Sequence, residues 1–149
     1  MDDRAAILDL LGRYCHTLDG GDVEGAVALF APDAVLWPLF MQDEPEQGRD
    51  AIHGWYSRYW AGVTSAVRFL QHHIQSPMVD LDGPEHARSR CYLTATMVLA
   101  GSDDARCSHG RYEDALVKLD GVWRFAERRI VVHYDFGVGA ARLGRRPNG

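Results

Sequence analysis

The stretch "ALVKLDGVWRFA", residues 115–126, carries the clearest structural signal in the chain. Apolar and polar residues alternate on both sides of Asp120-Gly121, and an Asp-Gly pair between two such runs is typical of a tight β-hairpin. Ser76-Pro77 indicates a bulge or kink in an earlier extended run. Turn-bounded extended runs fill the second half of the chain and predict an antiparallel meander; they cover residues 66–83, 86–101, 106–121 and 122–136.

The first half of the chain has a helical period instead. Apolar residues at three- and four-residue spacing predict a helix over residues 3–18, and capping residues begin two more helices, over 23–30 and 50–63. Residues 34–40 read as a strand that Pro38 places at a sheet edge or bulge. Helices followed by strands predict an α+β fold. We expect a cone-shaped, curled antiparallel sheet with the N-terminal helices over its concave face.

Length and composition are those of an ordinary globular domain. The 149 residues predict one domain, with a core over residues 3–136 and a tail over 137–149 that is mobile or lies at an interface. The net charge of −5 disfavours nucleic acid and anionic membranes as partners. We see neither a secretory leader nor an apolar run long enough to span a membrane, and therefore predict a cytoplasmic protein. The cysteines are odd in number and lack CxxC spacing, which favours free thiols; they are Cys15, Cys91 and Cys107.

Two sequence blocks occur together in a known group of proteins. "LFAPDAV", residues 29–35, and "GRYEDALVKLDGVWRF", residues 110–125, resemble the SnoaL-like branch of the nuclear-transport-factor-2-like superfamily. The resemblance extends over residues 3–136 and implies the α+β cone. The superfamily hosts dehydratases, isomerases, dehydrochlorinases, small subunits of ring-hydroxylating oxygenases and non-catalytic binding modules, so fold alone does not decide the activity.

Several enzymes of that branch use a pocket histidine oriented by a helix aspartate, and some add a tyrosine on the same helix. The resemblance implies His73 as general base, Asp19 as its orienting carboxylate and Tyr14 as a hydrogen-bond donor to substrate. Tyr14-x4-Asp19 matches the pattern of the bile-acid dehydratases, whereas the scytalone dehydratases have the tyrosine directly beside the aspartate. Ser108 and His109 are loosely similar to further polar groups of the scytalone dehydratase pocket.

Strand alternation leaves two choices open. Consecutive strand residues face opposite sides, so only one of His72 and His73 can enter the cavity, and the same holds for Arg128 and Arg129. We predict His73 from the family pattern, and Arg129 as a cation that could donate to a developing oxyanion.

Asp19 lies at the C-terminal end of its helix, where the macrodipole disfavours a negative charge. A histidine partner inside the cavity would explain that position, although Asp19 could equally be a solvated turn residue and Tyr14 a core aromatic. The walls of an apolar small-molecule pocket are expected to come from aromatic side chains and one further histidine. These wall residues are Trp37, Trp55, Tyr56, Trp60, Tyr92 and His133.

These features predict a dehydratase-like lyase or isomerase that acts on a hydrophobic cyclic or polycyclic small molecule. The sequence has no metal-ligand spacing and no phosphate-binding glycine loop, so we expect neither a metal nor another cofactor. The alternative is a non-catalytic binding or subunit-assembly module, like the oxygenase small subunits. The broad convex face of a curled sheet needs a cover, which predicts a homo-oligomer, either dimer or trimer.

Overall fold

The computed structural model describes residues 2–141 and contains three helices and six strands. The helices precede the long strands, which confirms the predicted α+β class. No helix within residues 2–141 combines the length and apolarity needed to cross a membrane. The elements are α1 (Asp3–Asp19), α2 (Val23–Ala28), β1 (Phe30–Pro38), β2 (Glu46–Gln47), α3 (Arg49–Ala66), β3 (Val67–Asp82), β4 (His86–Leu99), β5 (Asp104–Leu119) and β6 (Val122–Ala140).

The strands form one sheet in the order β2-β1-β6-β5-β4-β3. Four neighbouring pairs are antiparallel, but β1 runs parallel to β6, with Trp37 opposite Arg129. The expectation of a fully antiparallel sheet is therefore wrong for this pair. Residues that pair across some 90 positions of sequence leave no local turn signal, so hydrophobic pattern alone does not reveal the direction of β1.

The hairpin between β5 and β6 forms where the Asp-Gly signal predicts it. Leu119 pairs with Val122, and both turn residues have positive φ, 50° at Asp120 and 78° at Gly121. Positive φ at both central positions is the geometry of a two-residue hairpin whose twist matches that of the strands. The turn fixes the register of β5 against β6. It therefore determines which side chains of the two strands lie next to each other.

The helices cover one face of the sheet, here called the inner face. The apolar stripe of α1 is buried there, and Ile52, Trp55 and Tyr56 of α3 join the same core. Asp2 caps α1 by accepting a hydrogen bond from the backbone N–H of Ala5, 2.8 Å away. The opposite side of the sheet is here called the outer face, and no helix within residues 2–141 packs on it.

Strand β3 contains two bulges, and each carries a non-glycine residue with positive φ. The register slips between Arg68 and Gln71, around Phe69 (φ 56°), and again between Gln75 and Met78, around Ser76 (φ 49°). The second bulge confirms the irregularity predicted at Ser76-Pro77. An extra residue in one strand reverses which side chains face inward. The bulge at Phe69 therefore decides the inner-face residues of the segment between the two slips.

Strand β6 continues further than the sequence predicts. Ala140 pairs with Asp104 and Gly137 with Arg106, so residues 137–140 belong to the sheet rather than to a tail. Residues 142–149 of the predicted tail lie outside the described residues. Pro38 is the last residue of β1, where its missing N–H interrupts no further pairing.

Candidate active site

A cavity of about 560 Å³ lies between the inner face of the sheet and helices α1 and α3. Its walls are mostly apolar, and the rings of Trp55 and Tyr59 stack there with centroids 5.1 Å apart. A concave, mostly apolar site with few polar groups is typical of small-molecule binding. The polar side chains that line it include Tyr14, Tyr56, His72, Ser108, Tyr112 and Asp135.

The cavity contains a histidine held by a carboxylate from α1. The imidazole Nδ1 of His72 lies 2.6 Å from Oδ1 of Asp19, and the backbone N–H of His72 donates to Oδ2 at 2.9 Å. Both side chains are largely buried, with 7% of the His72 side chain and 20% of the Asp19 side chain exposed. The two-point contact fixes the ring, so that Nδ1 carries the proton donated to Asp19, and in the neutral imidazole Nε2 is an acceptor.

The turn after α1 explains how Asp19 reaches the sheet. Gly21 adopts φ 73°, a conformation that favours glycine, and a Cβ at this position would lie 2.6 Å from the indole ring of Trp60. Trp60 thus packs on the turn rather than on the cavity, contrary to its predicted place in the pocket wall. Asp19 offsets its unfavourable position at the helix end through the two hydrogen bonds that it accepts from His72.

The partner of Asp19 is His72 and not His73, which corrects the expected contact. His73 faces the exposed outer side, where its Nε2 lies 3.4 Å from the hydroxyl of Thr96. The bulge at Phe69 is the cause: His72 pairs with Ala95 on the inner face, whereas an unbroken register from Arg68 would bring His73 inward. Strand alternation predicts that one of the two adjacent histidines faces the cavity, but it does not predict which one.

One row of residues crosses four strands and includes the histidine. His72 on β3 pairs with Ala95 on β4, Ala95 with Ser108 on β5, and Ser108 with Asp135 on β6. All four residues line the cavity. The row therefore presents an imidazole and a hydroxyl to the same space, with Ala95 leaving room between them. The carboxylate of Asp135 ends the row and is half exposed and paired with Arg106. Ser108 was suggested by the family resemblance, whereas Asp135 was not.

Two phenols form a second polar group of the cavity. The hydroxyls of Tyr14 and Tyr56 are hydrogen-bonded to each other, and both side chains are buried. Burial raises the pKa of both phenols, so both remain neutral hydrogen-bond donors at physiological pH. On an ideal helix Tyr14 and Asp19 are separated by about 7.5 Å along the axis. The phenol pair and His72 therefore face the cavity at different depths.

A buried ion pair lies where Ser89, Asp114 and Arg128 pair across strands β4, β5 and β6. Arg128 Nε donates to Asp114 Oδ1 at 2.8 Å, Arg128 Nη2 donates to Oδ2 at 3.0 Å, and Ser89 also donates to Oδ2, at 2.9 Å. Arg128 is completely buried, while Arg129 is exposed on the outer face above the ring of Trp37. The expectation that Arg129 enters the cavity is wrong, because the parallel register with β1 turns its side chain away.

The predicted wall residues divide between the two faces. Trp55 and Tyr56 line the cavity. Trp37 and Tyr92 are on the outer face, the latter 64% exposed, because each falls one position from an inner residue. His133 is the extra residue of a bulge in β6, and its Nε2 accepts a hydrogen bond from Arg111 at 2.8 Å. These three residues and Trp60 therefore do not line the cavity, contrary to the prediction.

The three buried tyrosines give a testable effect on stability. Burial raises the pKa values of Tyr14, Tyr56 and Tyr112 above 10, so above that pH the unfolded chain binds fewer protons than the native one. We expect the free energy of unfolding to fall above pH ~10, by up to about 1.4 kcal/mol per phenol and pH unit. Urea titrations at several alkaline pH values measure this slope. Tyr112→Phe should make the slope of the unfolding free energy against pH shallower. An unchanged slope would contradict the raised pKa of Tyr112.

The fold and cavity define a class: a small α+β domain that encloses an apolar pocket with a buried His–Asp pair. The family model described as "SnoaL-like domain" matches residues 1–129, and the chain belongs to this family. No curated protein matches the chain. Among residues 2–141, no three His, Cys, Asp or Glu side chains lie close enough together to hold a metal ion.

Solved structures with the same fold come from several bacteria. A candidate scytalone dehydratase from Novosphingobium aromaticivorans is 24% identical, with a TM-score of 0.77 over 97% of this chain and 95% of that chain. A hexachlorocyclohexane dehydrochlorinase of type 3 from Novosphingobium barchaimii LL02 is 13% identical, with a TM-score of 0.80 over 96% and 94%. A Mycobacterium tuberculosis protein of unknown function is 27% identical, with a TM-score of 0.74 over 87% and 71%. A candidate dehydratase and a dehydrochlorinase are thus among the structures that share this fold.

Proposed function

We propose that the protein is a cofactor-independent lyase or isomerase in which His72 abstracts a proton from carbon. The observation that carries this proposal is the contact between His72 Nδ1 and Asp19 at the wall of an apolar cavity. A neutral imidazole is a suitable base near neutral pH, and a carboxylate on its other nitrogen both fixes the tautomer and stabilises the imidazolium that forms. Asp19 is thus the positioning residue for His72.

The elimination step can be written with these groups alone. Nε2 of His72 takes the proton from the carbon next to a carbonyl, and the electron pair of that C–H bond forms the new double bond. A hydroxide leaves from the adjacent carbon and takes up the proton of the imidazolium, so water is released and the base is neutral again. Negative charge that develops on the carbonyl oxygen accepts a hydrogen bond from the Tyr14–Tyr56 pair. In an isomerisation the same imidazole would return the proton to a different carbon.

The walls of the cavity indicate the kind of substrate. Stacked Trp55 and Tyr59 offer flat apolar surface, which suits a ring system. A volume of about 560 Å³ accommodates a molecule of two or three fused rings. The dehydratase and dehydrochlorinase among the similar structures act, by their names, through elimination, which supports the same reaction class for this chain. We therefore propose a cyclic or polycyclic β-hydroxy ketone as the substrate class.

A β-hydroxy ketone with two fused rings tests the proposal. 3-Hydroxy-1-tetralone loses water to give an aromatic naphthol, and the product is followed by its absorbance. We expect the wild-type protein to accelerate this dehydration and Asp19→Asn to lower the rate at least about tenfold. Asp22→Asn, in the next turn and exposed, is the matched control and should retain the rate. Binding of the ketone without any turnover by the wild type would support the non-catalytic binding module instead.

We further propose a cytoplasmic location and assembly into a homo-oligomer. The three cysteines are free, as a cytoplasmic protein in a reducing compartment would have them. The outer face exposes large apolar side chains, with Tyr134 58% and Phe136 40% exposed. An exposed apolar surface of this kind suits a second copy of the same chain, so we propose a homo-oligomer that is assembled through this face.

Sedimentation velocity tests the assembly. We expect the wild-type protein to sediment as a dimer or trimer at micromolar concentration. Tyr134→Glu should shift it to monomer, because an unpaired charge would be buried at the interface. Leu8→Glu, which alters an exposed apolar residue of α1 (42% exposed), is the control and should leave the oligomer intact. A wild-type monomer, or identical effects of both variants, would contradict this interface.

A further inference from the structure

We propose that Arg128 is a positioning residue that polarises the Tyr14–Tyr56 pair, so that Tyr14 donates to Tyr56 and Tyr56 donates to an enolate or phenolate oxygen in the cavity. This inference rests on the proposed function, because it names the group that would receive the oxygen of the substrate. It assigns to the buried Arg128–Asp114 pair a role beyond stability.

The guanidinium of Arg128 is packed between aromatic rings. Its Cζ lies 4.1 Å from the ring centroid of Tyr14, 4.1 Å from that of Tyr112 and 4.0 Å from that of Phe125. No such contact joins it to Tyr56. A cation over a ring face is attracted to the ring and strengthens the partial positive charge on a phenol hydrogen. Of the two bonded phenols, Tyr14 is therefore the one made the stronger donor.

Asp114 fixes the orientation of this cation. It accepts from Nε and Nη2 of Arg128, and its own position is fixed by the hydroxyl of Ser89. The remaining nitrogen, Nη1, is buried and has no hydrogen-bond partner among the described residues. A bidentate arginine–carboxylate pair has a defined plane. The guanidinium is therefore fixed against the rings and is not free to turn toward another acceptor.

The charges around the two phenols also favour Tyr14 as the donor within the pair. Burial raises the pKa of Tyr14, and the positive charge of Arg128 is the main factor that opposes this rise. Burial also raises the pKa of Tyr56, and the neighbouring Tyr14 raises it further. The more acidic phenol is the better donor, so the hydroxyl hydrogen of Tyr14 is used within the pair. The hydrogen of Tyr56 is then left for an acceptor in the cavity that both rings line.

Binding of β-naphthol and of its methyl ether tests, without any catalytic turnover, whether Tyr56 donates a hydrogen bond to an oxygen in the cavity. The naphthol resembles an enolate or phenolate ligand because it can bind in its ionised form, and the ether cannot. We expect the wild-type protein to prefer the naphthol. Arg128→Met combined with Asp114→Leu, which removes both buried charges, should reduce the ratio of the two affinities about tenfold and leave the affinity for the ether unchanged.

Arg129→Met is the matched control, because Arg129 is adjacent in sequence but faces the outer side, and it should keep the wild-type ratio. Should the paired substitution fail to fold, Arg128→Lys replaces it: an ammonium beside Asp114 keeps the ion pair but removes the planar contact with the rings, so the ratio should again fall. Tyr56→Phe should abolish the preference.

An unchanged ratio in the Arg128 variants, or a wild-type protein that shows no preference, would overturn the inference. Because the ratio comes from equilibrium binding, it is independent of turnover. Failure of the wild type to dehydrate 3-hydroxy-1-tetralone would overturn the proposed function alone, and the naphthol ratio would still test the role of Arg128.

Discussion

His72→Gln is expected to lower kcat for the dehydration of 3-hydroxy-1-tetralone by about 10²- to 10⁴-fold, the usual contribution of a general base. Glutamine retains a side chain of similar length that can still contact Asp19, so the turn after α1 should persist. What it lacks is a nitrogen that accepts a proton from carbon near neutral pH. KM should change little, because the apolar walls that bind the ring system are untouched.

His73→Gln is the matched control for this prediction. His73 is adjacent in sequence but faces the outer side of the sheet near Thr96. We expect its substitution to leave kcat within about twofold of the wild type, since surface substitutions away from a site have small effects. Steady-state rates of the two variants, measured together, decide between the neighbouring histidines. Loss of activity in the His73 variant with retention in the His72 variant would contradict the orientation that the bulge imposes.

Asp114→Asn is expected to reduce the free energy of unfolding by about 3–5 kcal/mol, because it leaves the guanidinium of Arg128 buried without a countercharge. The asparagine side chain has nearly the same shape, so the loss reports on charge rather than on a cavity. Arg128 is completely buried. Water therefore cannot hydrate its charge in the native state, and the native state bears the full desolvation cost of an unpaired buried charge.

Urea unfolding measures the loss, and Glu113→Gln is the control. Glu113 pairs with Arg111 at 2.5 Å, but both side chains are about two-fifths exposed, so we expect less than about 1 kcal/mol. Arg128→Met combined with Asp114→Leu should cost less than Asp114→Asn, because it removes both charges together. Equal losses for Asp114→Asn and Glu113→Gln would show that the buried pair is not the stabilising contact described here.

The sequence predicts the architecture well where the signals are local. The Asp120-Gly121 turn and the apolar stripe of α1 each depend on residues close together in the chain, and the structure confirms both. The direction of β1 relative to β6 depends on contacts across most of the chain, and no local pattern encodes it. The same limit explains why the sequence predicts a tail at residues 137–140: the pairing of this segment with β5 joins residues more than 30 positions apart, which leaves no local pattern.

The candidate site shows a sharper form of the same limit. Alternation in β3 predicts that one of His72 and His73 faces the cavity, but the choice depends on the bulge at Phe69. Phe69 has φ 56°, a conformation that an aromatic residue seldom adopts, so composition gives no sign of the extra residue. At Ser76-Pro77 the proline does give such a sign, and that bulge was predicted. The sequence thus predicts a histidine partner for Asp19 but not which of the two adjacent histidines it is.

The central claim is that Asp19 holds the Nδ1–H tautomer of His72 and leaves Nε2 as an acceptor in the cavity. A long-range ¹H–¹⁵N spectrum of the labelled protein, with the His72 signals assigned by their absence in His72→Gln, tests this directly. In the neutral imidazole we expect a protonated Nδ1 and an unprotonated Nε2, and loss of this preference in Asp19→Asn. A neutral His72 with its proton on Nε2 in the wild-type protein, or a His72 spectrum that Asp19→Asn leaves unchanged, would contradict the account.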